Sequence, residues 1–288
     1  QEPFPHALND YYRKPFNSSM IDPILDEISR DVELVRCKRP SDRCPWCGDH
    51  EYKHKNTLLC MHREIIEFTK WIAPTEDERL IRALVTARFR EALQMLWPDA
   101  KIIAHGSTAT GSFLPGGDID YVVYGAPEDM TELEQLTTLG NFFKEVQAFS
   151  RFELINARVP IIKAIEKPYS LKIDIAVNNI NGILNIERTL NEFKAYPALY
   201  PLLMVLKLFL FQQHLNEPYN GGISSNTLIQ MIIFILQSAE KPEDRLNLGK
   251  MLIRFFRVYG SNFNYITTDV TTRGGGRAFS REDVGEMN

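Results

Sequence analysis

Two aspartates one residue apart, Asp118 and Asp120, stand in the stretch HGSTATGSFLPGGDIDYVVY at residues 105–124. Side chains of a strand alternate between faces, so carboxylates at i and i+2 point the same way. Two like charges side by side repel, more so away from water, and a bound divalent cation cancels that repulsion. The stretch opens on the small-residue turn Gly106-Ser107, passes through Gly111, and turns again at Pro115-Gly116-Gly117. Amides of such turns can face phosphate oxygens, so the pattern reads as a magnesium-type site beside a phosphate cradle. The competing reading is a solvated turn with two incidental aspartates, and the small residues ahead of the pair weigh against it. A third aspartate, Asp174, interrupts the apolar run LKIDIAV. Alternation puts Lys172, Asp174 and Ala176 on one face of that strand and Ile173, Ile175 and Val177 on the other. A carboxylate in a buried strand needs a partner. A salt bridge would explain Asp174 taken alone; beside Asp118 and Asp120, a third metal carboxylate is the better reading.

Further candidates lie elsewhere. Lys207 sits inside the apolar run LLMVLKLFLF, where a lysine either extends its amine to water or faces a phosphate. The loop NEPYNGGISS ends in Ser224-Ser225 at a helix start, which reads as an ordinary cap or as a phosphate or ribose seat. Cys44-Pro45-Trp46-Cys47 has the spacing that lets two thiolates share a tetrahedral zinc, with Cys60 or His62, and His50 or His54, to complete the set. The same segment also reads as free buried cysteines in an irregular insertion, or as a basic loop for RNA through Lys38, Arg39, Arg43, Lys53 and Lys55.

The elements that position these residues follow from periodicity. A helix is expected over 21–35 and another over 61–71. Thr75 and Glu78 form a capping box that opens a long helix, with an apolar stripe through Leu80, Leu84, Val85, Phe89, Leu93 and Leu96. Strands are expected at 101–104, 119–123, 151–157, 159–166 and 171–177, with a helix over 127–146. Beyond residue 180 the chain reads as helices, ending in a glycine-rich loop. The expected class is α+β. A mixed-sheet domain spans about 75–180, and a discontinuous helical domain joins 1–74 to 181–288, with the Cys/His insertion at about 36–60.

Composition sets the bounds. A hydrophobic content of 44% and an aromatic content of 11% exclude general disorder. A net charge of -4 gives no strong long-range attraction for nucleic acid. Cys37, Cys44, Cys47 and Cys60 all cluster in the first quarter, which argues for a reducing compartment over a disulfide framework. No apolar run reaches membrane-spanning length, and QEPFPHALNDYYRKPF lacks the pattern of a signal peptide.

Taken together, LLCMHREIIEFTKWIAPTEDE, LWPDAKIIAHGSTATGSFLPGGDIDYVVYG, RVPIIKAI, LKIDIAVNNINGI, VLKLFLFQQHLNEPYNGGISSN and LGKMLIRFFRVYGSNFNY resemble the nuclear poly(A) polymerases of the TRAMP RNA-surveillance complex. These belong to the DNA polymerase beta-like nucleotidyltransferase superfamily. The resemblance implies an active site in a cleft between the two domains. It makes Asp118, Asp120 and Asp174 the catalytic carboxylates, holding magnesium (or manganese). It gives Gly106 and Ser107 the triphosphate, Lys207 a phosphate contact and Ser225 a place near the triphosphate or ribose. It also sets Asn181 and Asn185 near the nucleotide entrance. The implied reaction adds AMP from ATP to RNA 3′ ends in the nucleus, with a zinc-knuckle RNA-binding protein and an RNA helicase as partners. The chain departs from the family at three places. Asn226 stands where relatives carry an aromatic that stacks on the incoming base, which leaves a uridylyltransferase or a catalytically weak scaffold as alternatives. Relatives continue into a nucleotide-recognition loop of the IxDPxxxxND type, which is not among these residues. The cysteine segment at 36–57 looks inserted.

Overall fold

A computed structural model describes residues 23–36, 44–48, 50–157 and 159–282. Cys37 and the N-terminal arm lie outside the described residues. By its internal contacts the chain forms two units, one built on Ala73–Asn191, the other on the described residues from Pro23 to Ile72 and from Glu192 onward.

The first unit is a five-stranded mixed sheet with helices against it. Helix α3 (Glu76–Leu96) begins at the expected capping box: the Glu78 amide donates to Thr75 Oγ1 at 3.2 Å and the Thr75 amide to Glu78 Oε2 at 2.8 Å. The strands β3 (Lys101–His105), β4 (Ile119–Tyr124), β5 (Phe149–Ile155), β6 (Ile161–Glu166) and β7 (Lys172–Val177) assemble in the order β3-β4-β7-β6-β5. Only β4 and β7 run parallel, which requires the crossover through α5 (Glu132–Glu145). A short helix α4 (Gly106–Thr110) follows β3 directly. The core is apolar and aromatic. Phe89 from α3 meets Phe143 edge-on at 4.9 Å and Phe149 at 5.6 Å, and the fully buried Tyr121 shares a hydrogen bond with Thr86 Oγ1 at 2.8 Å.

The second unit is mostly helical: α1 (Pro23–Ile28), α2 (Thr57–Ile72), α7 (Leu199–Gln212), α8 (Ser225–Gln237) and α9 (Leu248–Arg257). The division between units falls within α6 (Ile180–Ala195). Helices α7 and α8 owe their position to apolar content: Leu202, Leu203, Met204 and Leu206 on one, and Ile232, Ile233, Ile235 and Leu236 on the other, are buried. No single helix among the described residues is long and apolar enough to cross a membrane.

Three local expectations are corrected. The helix expected over 21–35 stops at Ile28, and Glu33–Arg36 forms strand β1, paired antiparallel with β2 (His50–Lys53). Short apolar runs fit either period, and here a distant strand decides. The glycine-rich tail is a hairpin of β8 (Thr268–Thr271) and β9 (Arg277–Ser280); Gly274, Gly275 and Gly276 all take positive φ in its turn, which glycine alone adopts without strain. On α3, Leu80 and Leu84 face solvent, and the buried stripe runs through Arg82, Val85, Thr86, Phe89 and Leu93.

Candidate active site

The sheet register builds the site. Across neighbouring strands, residues in register point to the same face. His105 of β3 pairs with Asp120 of β4, Asp120 with Asp174 of β7, and Asp174 with Lys163 of β6. One row therefore carries an imidazole, two carboxylates and an ammonium group. Asp118, one residue before β4, joins them. Ligand oxygens of Asp118, Asp120 and Asp174 all lie within 4.8 Å of one another. Lys163 Nζ pairs with an Asp174 oxygen at 3.0 Å. Sequence reasoning missed Lys163, because only the antiparallel register of β6 and β7 reveals it.

The turns around the carboxylates are held from behind. Arg82 on α3 is 4% exposed. Its Nη1 donates to the Asp118 carbonyl at 3.0 Å and to Thr108 Oγ1 at 3.2 Å, and its Nη2 donates to the Gly117 carbonyl at 2.6 Å. The guanidinium lies 3.9 Å from the Phe113 ring centre. Burial lowers its pKa, while Glu78, Asp118 and Asp120 pull the other way. Arg82 thus fastens the Gly117-Asp118 turn to the helix that follows β3. It too went unread in the sequence, although its spacing from Val85 and Phe89 sets it on the buried stripe.

Gly106 has φ +60, and a Cβ there would come within 2.5 Å of Asp120 Oδ2. The missing side chain lets the Asp120 carboxylate pack directly against the Gly106 backbone. His105 is held neutral, its pKa lowered to about 4 by burial. Gly182 of α6 makes room for its ring, since a Cβ there would stand 3.0 Å from the imidazole. Clustered hard oxygen donors with a counter-ion at the edge suit a hard divalent cation. Gly106→Ala is expected to lower metal-dependent activity by about a hundredfold, because the methyl group crowds Asp120. Its loss of fold stability is expected to be only about 1–2 kcal/mol, the range for a strained αL residue. Metal-titrated activity and a urea melt, measured on the same variant, separate the two effects.

Residues 61–188 match the family model described as "Poly(A) RNA polymerase, mitochondrial-like, central palm domain", and residues 247–288 match the "Cid1 family poly A polymerase" model. The solved polymerase core of TRAMP, an RNA surveillance complex, superposes with a TM-score of 0.75 at 30% identity, over 83% of this chain and 77% of that one. The chain belongs to the TRAMP-type poly(A) polymerases. Within this family it is 35% identical to the poly(A) RNA polymerase CID14 of Cryptococcus neoformans, over 78% of this chain and 30% of that protein. It is 31% identical to Trf4-2 of Drosophila melanogaster, named as an inactive poly(A) RNA polymerase, over 88% of this chain and 65% of that one. The chain spans about a third of the length of its fungal relatives.

The remaining residues expected from the resemblance to TRAMP-type polymerases fall outside this cluster. Asn181 and Asn185 lie on α6. Lys207 is half-buried on α7, Ser225 opens α8, and Asn226 follows it, exposed. The helix cap is Ser224, whose hydroxyl accepts from the Thr227 amide at 3.1 Å, so the Ser225 hydroxyl is not consumed by capping.

The zinc set read from spacing is corrected at His62. The Leu248 amide donates to His62 Nδ1 at 2.9 Å, which leaves Nε2 to donate to the Leu25 carbonyl at 2.6 Å. Both ring nitrogens are committed, and the buried imidazole ties α1, α2 and α9 together. Burial also lowers its pKa. Cys44 and Cys47 converge instead on Glu64, and Cys60 stands outside that group.

Proposed function

We propose that the protein is a template-independent RNA 3′-adenylyltransferase, adding AMP from ATP to RNA 3′ ends. The observation that carries this reading is the convergence of Asp118, Asp120 and Asp174 in a chain of this family. Asp118 and Asp120, with Asp174, would hold magnesium (or manganese), which when bound supplies positive charge at the reacting phosphate and its leaving group.

The chain's own groups do the rest. The Gly106-Ser107 turn holds the β- and γ-phosphates, and Lys207 and Ser225 contribute to triphosphate binding. An Asp174 carboxylate oxygen takes the proton from the attacking 3′-hydroxyl, and its pairing with Lys163 orients it for that role. Arg82 keeps the Asp118 backbone from shifting. Catalysis of this kind is positioning and electrostatics. The place of action is the nucleus, in RNA surveillance, with a zinc-knuckle RNA-binding protein and a helicase supplying RNA grip. The net charge of -4 agrees with weak RNA binding by this chain alone.

The test is extension of a 5′-labelled RNA with each NTP in turn and magnesium, using the full-length protein with and without a zinc-knuckle partner. Lengthening with ATP supports the reading. Preferential growth with UTP moves the protein to uridylyl transfer. A second reading, a scaffold that has lost activity, draws on Asn226 and on the relative named as inactive; absence of growth with every NTP would favour it.

Asn226 permits a direct experiment on base binding. It is exposed and makes no cap, so a ring fits there without disturbing α8. Asn226→Tyr is expected to lower the KM for ATP about tenfold, near the low end of the ~1–3 kcal/mol for base–aromatic stacking, with kcat little changed. An unchanged KM would show that this position does not face the base.

A further inference from the structure

A second group of ligand-type side chains converges in the helical unit, and nothing in the adenylyl-transfer reading uses it. The sulphurs of Cys44 and Cys47 and a Glu64 carboxylate oxygen lie within 4.8 Å of one another. We propose that Cys44, Cys47 and Glu64 hold a structural zinc ion, which fastens the turn at residues 44–48 to helix α2.

The donor chemistry selects the metal. Two thiolates and one carboxylate are too soft for magnesium and suit zinc. With zinc–ligand bonds of about 2.0–2.3 Å, tetrahedral ligands stand about 3.3–3.8 Å apart, so the observed set closes with small side-chain rotations. The backbone has already set the two thiols together: the Cys47 amide donates to the Cys44 carbonyl at 3.0 Å across the turn. Trp46, between them, orients the third ligand, its Nε1 donating to Glu64 Oε1 at 3.2 Å. The same indole meets Phe68 edge-on at 5.0 Å and Trp71 at 5.6 Å, so the turn already sits on α2. The neighbouring cation is engaged elsewhere. Arg63 pairs with Glu67 at 2.6 Å and with Asp26 at 3.6 Å.

Binding forms two Zn–S bonds and one Zn–O bond to the protein, keeps one water of the aqueous ion in the fourth tetrahedral position, and releases the two thiol protons to solvent, with no change of oxidation state. The bound ion would anchor the β1–β2 hairpin, because residues 44–48 lead into β2. It would add stability to the helical unit and take no part in the phosphate chemistry.

The test is metal analysis of the full-length protein, purified under reducing conditions without chelator. About one zinc per chain is expected, and substitution by cobalt should give the strong visible absorption of a tetrahedral thiolate site. Cys47→Ser and Glu64→Gln should each lose the ion. Cys60→Ser should keep it, since Cys60 lies outside the cluster. A strong chelator should lower the melting temperature of the wild type and leave that of Glu64→Gln unmoved. Glu64→Gln matters most, because it keeps the size and the Trp46 hydrogen bond and so separates metal loss from misfolding. A wild-type protein without zinc or a cobalt spectrum, zinc retained by Glu64→Gln, or zinc lost from Cys60→Ser would each overturn the assignment. None of these readouts depends on nucleotide transfer.

Discussion

Asp120→Asn is expected to lower AMP incorporation by at least about 1,000-fold, equivalent to about 4 kcal/mol of transition-state stabilisation, while the melting temperature holds or rises. Asp120 is the middle member of the acidic row, in register with His105 on one side and Asp174 on the other. It is also the carboxylate that packs against Gly106. Asparagine keeps the shape and removes the charge that a metal needs. The same substitution relieves repulsion from Asp118 and Asp174, which offsets the attraction to Arg82 that it gives up. Single-turnover extension of a labelled RNA, run beside a thermal melt, reads both quantities. Activity within tenfold of wild type would remove Asp120 from the metal site, and a lowered melting temperature would recast the carboxylate as structural.

Arg82→Met is expected to destabilise the sheet unit by about 3 kcal/mol or more and to reduce activity along with it. The guanidinium makes three charge-assisted hydrogen bonds, to the Gly117 and Asp118 carbonyls and to Thr108, each worth about 1.5–3 kcal/mol before the loss is offset by repacking. Methionine fills the space and leaves those acceptors without a donor. Arg82→Lys should rescue only part of the effect, because one ammonium cannot reproduce the fork of donors or the flat stack on Phe113. Denaturant melts of the wild type and both variants give the stability order. Activity measured well below the transition shows how far Asp118 moves when its backbone is released. Equal stability for all three proteins would mean that the turn is held by something other than Arg82.

Much of the fold was readable because it follows local rules. The capping box at Thr75 and Glu78 needs only residues three apart, and the structure forms it. The strands around Ile119–Tyr124 and Lys172–Val177 follow from short β-branched runs bounded by turns. Misreadings arose where two periods fitted equally well. Glu33–Arg36 passed for helix until β2 paired with it, and Thr268–Thr271 passed for loop because its partner lies beyond three glycines.

The same contrast runs through the sites. That Asp118 and Asp120 share a direction is a consequence of strand alternation, and the glycines beside them follow from the need for close approach; both are properties of neighbouring residues. That Asp174 lies against Asp120, with Lys163 on its far side, depends on the parallel register of β4 and β7 and the antiparallel register of β6. No spacing along the chain carries that information. The cysteine segment shows it from the other direction. The two-residue gap between Cys44 and Cys47 is local and was legible, but the choice of Glu64 over His62 was not. His62 is taken up by the backbone of Leu25 and Leu248, the latter 186 residues away, and the helix turns Glu64 toward the thiols instead. Pairing between distant segments costs chain entropy that only the assembled core repays, so partners of this kind are settled by the packed structure.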